Sequence, residues 1–264
     1  MLELKNICKT FNAGTVNEKK ALDGLSLTLA DGDFVTVIGG NGAGKSTMLN
    51  MIAGVYPVDS GSITIDGVDV TNLPEHKRAK YLGRVFQDPM MGTAADLWIE
   101  ENLAIARRRG QSRSIRWAIT KSERAEFKKL LAELDLGLEN RLSTKVKLLS
   151  GGQRQALTLL MATMNSPKLL LLDEHTAALD PKTAANVLEL SDKFIAEGKL
   201  TALMVTHNMR DAIAHGNRLI MMNAGKIILD ISGEDKRKLT VEDLLDAFAK
   251  QSGSQFANDR ALLN

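Results

Sequence analysis

Apolar and polar positions change rhythm along this chain. From Met1 to about Thr36 they alternate, as in Leu2-Glu3-Leu4-Lys5 and Leu25-Ser26-Leu27-Thr28-Leu29. That alternation predicts half-exposed strands, because successive side chains point to opposite faces of a sheet. A polar, hairpin-like stretch from Asn12 to Lys20 separates them. Phe34 to Ile38 is a short continuous apolar run, the mark of a strand buried on both faces. A helix-forming stretch follows, Met48 to Ala53, ending near Gly54, and Ser62 to Val70 alternates again around an Asp-Gly turn. From about residue 93 to 147 charges dominate, with helical spacing in Phe127, Leu130, Leu131 and Leu134. From Lys168 strands and helices alternate: Leu169 to Asp173, a helix from about Thr183 to Glu197, Thr201 to His207, a short helix, then Arg218 to Ile231. An amphipathic helix is expected from Thr240, and the last ten residues read as disordered. The pattern predicts an α/β fold, a parallel core carrying a helical insertion in its middle.

Composition narrows the classes. At 264 residues and 44% apolar, the chain can fill one large core. A net charge of +2 makes no case for nucleic acid. Cys8 is the single cysteine, so neither an internal disulfide nor a Cys cluster for zinc can form. The N-terminus lacks the layout of a signal peptide, and no stretch approaches the ~20 apolar residues of a membrane span. The expectation is a cytoplasmic chain that meets a membrane only through a partner.

Residues 39–47 read Gly39-Gly40-Asn41-Gly42-Ala43-Gly44-Lys45-Ser46-Thr47, directly behind the Phe34 to Ile38 run and before a helix. Glycines allow the tight turn that brings backbone N–H groups to phosphate oxygens, and the helix N-terminus adds positive charge. Lys45 can then reach the β- and γ-phosphates and Ser46 can ligate Mg²⁺. The chain is therefore expected to bind a nucleoside triphosphate together with Mg²⁺.

Leu169 to Glu174 reads as a buried strand delivering adjacent carboxylates. Strand alternation would send Asp173 toward the Mg²⁺ shell beside Ser46 and Glu174 toward an attacking water, as its general base. In Leu149-Ser150-Gly151-Gly152-Gln153-Arg154-Gln155 the serine suits a helix N-cap, and the glycines leave amides uncovered as a second anion site. Plain capping is the alternative.

Leu149 to Gln153 resembles the signature of the ABC (ATP-binding cassette) ATPases, and the rest of residues 1–231 agrees in order. Phe11 resembles the aromatic that stacks on adenine, residues 39–47 the Walker A loop, and Gln87 the Q-loop glutamine. Asp173 and Glu174 match Walker B with its catalytic glutamate, Ala178-Leu179-Asp180 the D-loop, and His207 the switch histidine. The resemblance implies a P-loop NTPase core with a mostly parallel sheet, an N-terminal antiparallel β subdomain and an inserted α-helical subdomain. Its expected limits are about 1–92 and 155–231 for the core with its β subdomain, about 93–154 for the helical part, and 232–264 for a C-terminal helix and tail.

The family works as a head-to-tail dimer around two ATP molecules, which implies a homodimer, or a paired cassette, in the ATP-bound state. Lys45, Ser46 and Gln87 of one chain would grip each nucleotide with Ser150, Gly151, Gly152 and Gln153 of the other, and closure would bring Asp180 and His207 into place. Gln87 joins Ser46 and Asp173 as an implied Mg²⁺ ligand. The resemblance implies an energising subunit peripheral on the inner face of the cell membrane, with integral permease subunits as partners and an extracytoplasmic solute-binding protein acting through them. Asp173 to Pro181 resembles an importer subgroup that works with lipoprotein receptors, some for amino acids. A non-transport ATPase, such as one serving iron–sulfur cluster assembly, is the alternative. A relative without turnover is disfavoured by Lys45, Glu174 and His207. The tail after residue 231 is too short for an extra regulatory domain.

Three further features are read beside these. His175 stands where most relatives have proline, and is expected as a solvated loop residue or, alternatively, a pH-sensitive neighbour of Glu174. Met90, Met91 and Trp98 read as an apolar groove for a permease helix or as core. The run Arg107-Arg108-Arg109, with Arg113 and Arg116, reads as a solvated helix face, an attraction to lipid headgroups being the alternative.

Overall fold

The computed structural model describes residues 1–111 and 119–252. Arg113, Arg116 and the last ten residues lie outside the described residues. The strands and helices, in chain order, are β1 (Leu2–Phe11), β2 (Lys19–Leu29), β3 (Phe34–Ile38), α1 (Lys45–Ala53), β4 (Ser60–Ile65), β5 (Val68–Asp69), α2 (Glu75–Arg78), β6 (Leu82–Val85), α3 (Ile99–Arg107), α4 (Lys121–Ala132), α5 (Gly151–Thr163), β7 (Leu169–Asp173), α6 (Pro181–Gly198), β8 (Ala202–Val205), α7 (Met209–Ala214), β9 (Arg218–Asn223), β10 (Lys226–Ser232), α8 (Gly233–Arg237) and α9 (Val241–Ser252). They fall into a unit of Met1–Leu73 with Thr201–Asn264 and a unit of Pro74–Leu200.

The first unit holds an antiparallel sheet in the order β2-β1-β4-β5. Its alternating strands bury Leu2, Leu4, Leu25, Leu27, Leu29, Ile63 and Ile65 with a period of two, and Ile7 is buried after a break in register at Asn6, φ 49°. Beside it in the same unit, β3 runs parallel to both β8 and β9, and β10 returns antiparallel along β9. All five residues of β3 are buried. Its polar member, Thr36, satisfies its hydroxyl by donating to the Ala212 carbonyl at 2.8 Å. The amphipathic helix expected from Thr240 is α9. Thr240 and Asp243 cap its start reciprocally, and Leu244 and Phe248 pack with Ile38, Leu219 and Met221.

In the second unit β6 and β7 pair in parallel, from Leu82↔Leu169 to Val85↔Leu172. Glu100, buried at the start of α3, takes a two-point ion pair from Arg124 of α4 at 2.6 and 2.8 Å. Phe127 and Leu131 bury one face of α4. Leu134 is buried too but lies past the helix end, where Asp135 turns into the left-handed region at φ 53°. Boundaries moved elsewhere for local reasons. α1 starts at Lys45 because Gly44, at φ 102°, caps it. α6 starts at Pro181 because Asp180 accepts from the Thr183 amide and Pro occupies the first helical position.

Candidate functional site

The phosphate-loop residues follow β3 in the first unit. Gly39, Gly42 and Gly44 have φ of 154°, 79° and 102°, the region where a side chain is strained. A Cβ on Gly39 would stand 2.3 Å from the Met222 carbonyl oxygen, and one on Gly44 2.6 Å from that of Ala21. Strands β9 and β2 thus press on the loop so closely that only glycine fits. The Gly225 amide donates to the Ala43 carbonyl at 3.0 Å and so also holds the loop. Gly40 is half-buried, while Asn41 and Gly42 are exposed.

Lys45 is only 7% exposed. Its ammonium donates to the carbonyls of Gly39 at 2.6 Å and Gly40 at 3.2 Å, and so is held inside the loop. Exposed Ser46 and half-buried Thr47 follow on the first turn of α1, which contains no acidic residue to compete for an anion.

His207 follows β8, and the Val37↔Val205 register places the exits of β3 and β8 side by side. His207 is exposed. Burial pushes the Asp211 carboxyl up, an effect opposed by the nearby His215 and His207. Phe11 ends β1, its ring edge-on to Tyr56 at 5.3 Å. Directly across the ladder from Phe11 is Lys19, whose Nζ reaches to 3.1 Å from where a Cβ on Gly42 would stand. Sequence reading passed over Lys19, because its lysine-rich surroundings look like an ordinary solvated turn.

The second unit repeats the side-by-side arrangement. β6 leads to Gln87, exposed, and β7 to Asp173 and Glu174, both half-buried. Arg84 of β6 lies 3.4 Å from the Asp173 carboxylate. The strict alternation expected of the two carboxylates stops at Asp173, where the strand ends. Glu174 instead sits at φ 43° and opens a turn closed by its carbonyl accepting from the Ala177 amide. The turn, and not the pleat, sets its direction.

His175 is not a solvated loop residue. It is 2% exposed, with Nε2 3.0 Å from the Ser191 hydroxyl oxygen. Ser191 in turn donates to the Val187 carbonyl at 2.8 Å, so its oxygen accepts from an Nε2–H. The neighbouring α6 supplies a polar partner that sequence alone does not reveal.

Ser150 caps α5 as expected. Its hydroxyl accepts from the Gln153 amide at 3.3 Å, and the Gln153 side chain accepts from the Ser150 amide at 3.2 Å. Gly152 is buried against α6, where a Cβ would come 2.1 Å from Thr183 Cγ2, while one on Gly151 would stand 3.4 Å from Leu179. Gln155, another residue missed in the sequence, is fully buried and donates to the Phe86 carbonyl at 3.2 Å. It ties the signature helix to the residue before Gln87. Asp180 caps α6, and the hydrogen bonds from Thr183 hold its carboxyl below the usual value.

Met90, Met91 and Trp98 are 44%, 70% and 43% exposed, which removes the core reading. The basic run is not a merely solvated face: Arg107 pairs with Glu126, Arg108 with Glu123, and Arg109 donates to the Ala162 carbonyl.

Ser46 in the first unit, and Gln87 and Asp173 in the second, each carry an oxygen donor of the kind that suits Mg²⁺. Among the described residues no group of three or more His, Cys, Asp or Glu gathers.

The ABC transporter family model matches residues 22–177. The chain is 45% identical over 248 residues to a tyrosine transport ATP-binding protein of Clostridioides difficile, covering 94% of this chain and 98% of the relative. It is 34% identical over 250 residues to a xylose/arabinose import ATP-binding protein of Sulfolobus acidocaldarius, covering 94% and 95%. A dimeric ATP-binding cassette in a post-hydrolysis state with ADP and Pi superimposes with a TM-score of 0.73 at 30% identity, covering 88% of this chain and 98% of that one. With the glycine-shaped loop, the caged Lys45 and the capped signature helix in place, the chain belongs to the ABC transporter family and is one of its ATP-binding, ATP-hydrolysing cassettes.

Proposed function

We propose that this cassette energises the import of an amino acid, of the aromatic class, through a membrane permease. The observation that carries the reading is the 45% identity, over nearly the full length of both chains, to a cassette described as a tyrosine transport protein. Xylose/arabinose and polyamine relatives match at 34% and 33%, so the amino-acid reading rests on the higher identity.

In this reading the nucleotide lies on Phe11 and residues 39–47 of one chain, and on Ser150 to Gln153 of a second copy. Lys45 exchanges the Gly39 and Gly40 carbonyls for phosphate oxygens. Ser46, Gln87 and Asp173 hold Mg²⁺, which when bound supplies charge neutralisation at the phosphates. Glu174 accepts the proton of the attacking water, and His207 donates to the phosphoryl group being transferred. The amides of Gly151 and Gly152 face the partner's nucleotide and stabilise its developing charge. ATP then favours the closed dimer by its differential affinity for it, and hydrolysis reopens it.

Among the described residues no helix is long and apolar enough to cross a membrane. In this reading, which the transport relatives support, the cassette sits on the inner face of the cell membrane through permease subunits, a solute-binding protein delivering cargo on the far side. Exposed Met90, Met91 and Trp98 offer the permease an adaptable apolar surface.

Uptake in cells lacking this chain tests the cargo. Loss of labelled aromatic amino-acid uptake, restored by the wild-type chain and not by Glu174→Gln, is the expected result. Loss of pentose or polyamine uptake instead would overturn the amino-acid assignment.

A further inference from the structure

The β1–β2 ladder ends on the pair Phe11↔Lys19. The backbone of Lys19 therefore stands beside the ring assigned to the base. Its side chain crosses from there to the phosphate loop, with Nζ 3.1 Å and Cε 4.0 Å from where a Cβ on Gly42 would stand. It spans the same two features that the nucleotide spans. Gly42, at φ 79°, both makes the turn and leaves room for the amine.

Neighbouring cations are engaged elsewhere. Lys20 pairs with Asp23, as does Lys226 at 3.1 Å, and Lys45 is held by the loop carbonyls. Lys19 makes no ion pair among the described residues. An extended strand terminus thus delivers an uncompensated ammonium to the rim of a loop built for an anion.

We propose that Lys19 is a second phosphate-binding ammonium of the nucleotide site, acting from outside the loop while Lys45 acts from within. The proposal rests on the nucleotide-site reading above. Opposite charges a few ångströms apart at a partly exposed site attract substantially, and the attraction grows with ligand charge. Lys19 therefore favours the triphosphate over the diphosphate.

The test is calorimetric titration of the full chain with MgATP and MgADP, comparing wild type, Lys19→Ala, Lys19→Arg and Lys20→Ala. Lys19→Ala is expected to weaken MgATP by about tenfold and MgADP by less, with unchanged thermal unfolding. Lys19→Arg should restore most of the loss, since it keeps the charge, and Lys20→Ala should bind like wild type. Wild-type MgATP affinity in Lys19→Ala overturns the proposal, as does an equal loss for both nucleotides or a loss that arginine does not restore. Failure of the wild-type chain to bind MgATP would instead sink the nucleotide-site reading, and this proposal with it.

Discussion

The imidazole of His175 lies 3.0 Å from the Ser191 hydroxyl, which in turn donates a hydrogen bond to the Val187 carbonyl. This short chain fastens the residue after Glu174 to α6, inside the unit. His175→Ala should lower stability by about 2 kcal/mol, through a lost buried hydrogen bond and a new cavity. Ser191→Ala should cost about 1 kcal/mol. Urea unfolding of both singles and the double should show that the losses do not add. Simple additivity would mean that the contact carries no energy.

Gly152→Ala should destabilise the chain by about 1–3 kcal/mol, because its methyl would meet Thr183 Cγ2 at 2.1 Å. Thr183→Ser removes that methyl and should recover most of the loss. Thermal unfolding of the single and double variants checks both claims, and a Gly152→Ala chain as stable as wild type would remove the packing argument.

Lys45→Ala should weaken MgATP binding by at least about tenfold, since a charge-assisted contact to phosphate is lost. Titration with MgATP measures it directly. Unchanged affinity would count against Lys45 as the inner phosphate ligand.

Glu174→Gln should keep MgATP affinity while lowering turnover by about 10²-fold or more, because water loses its base and the phosphate contacts remain. Light scattering should find a stable dimer in ATP. A variant that hydrolyses at the wild-type rate would unseat Glu174.

Acid should loosen the chain through its capping and paired carboxylates. Hydrogen bonds from Lys9 and Thr10 hold Asp59 below the ordinary value of 3.8, and Thr183 and Thr240 do the same for Asp180 and Asp243. A lowered folded value adds stability above 3.8 that is lost as pH falls through it. Stability of the Asp243→Asn variant should therefore depend less steeply on pH below 4 than the wild type, as read from unfolding midpoints across that range.

Local signals carried most of the fold into the sequence. The apolar runs at Phe34 to Ile38 and Leu169 to Leu172, and the Asp66-Gly67 turn, each needed only near neighbours. The phosphate loop was legible because its glycines are required by backbone geometry. What stayed hidden depended on partners distant in sequence. His175 looked solvated because Ser191 lies a helix away, and Glu174 looked like a pleat residue because its left-handed turn leaves no composition signal. Gly152 read as an anion site, yet α6 packs on it tightly enough to demand glycine for that reason as well. Lys19 needed the β1–β2 register before its reach toward Gly42 could be seen.

The central claim is that this cassette turns over ATP in service of a membrane partner. The most direct measurement is the ATPase rate of the tagged chain recovered from detergent-solubilised membranes, set against the rate of the chain alone. The account predicts a co-purifying multi-spanning subunit and a turnover raised by its presence. Recovery with soluble scaffold proteins only, or a lone dimer already at full rate, would contradict it.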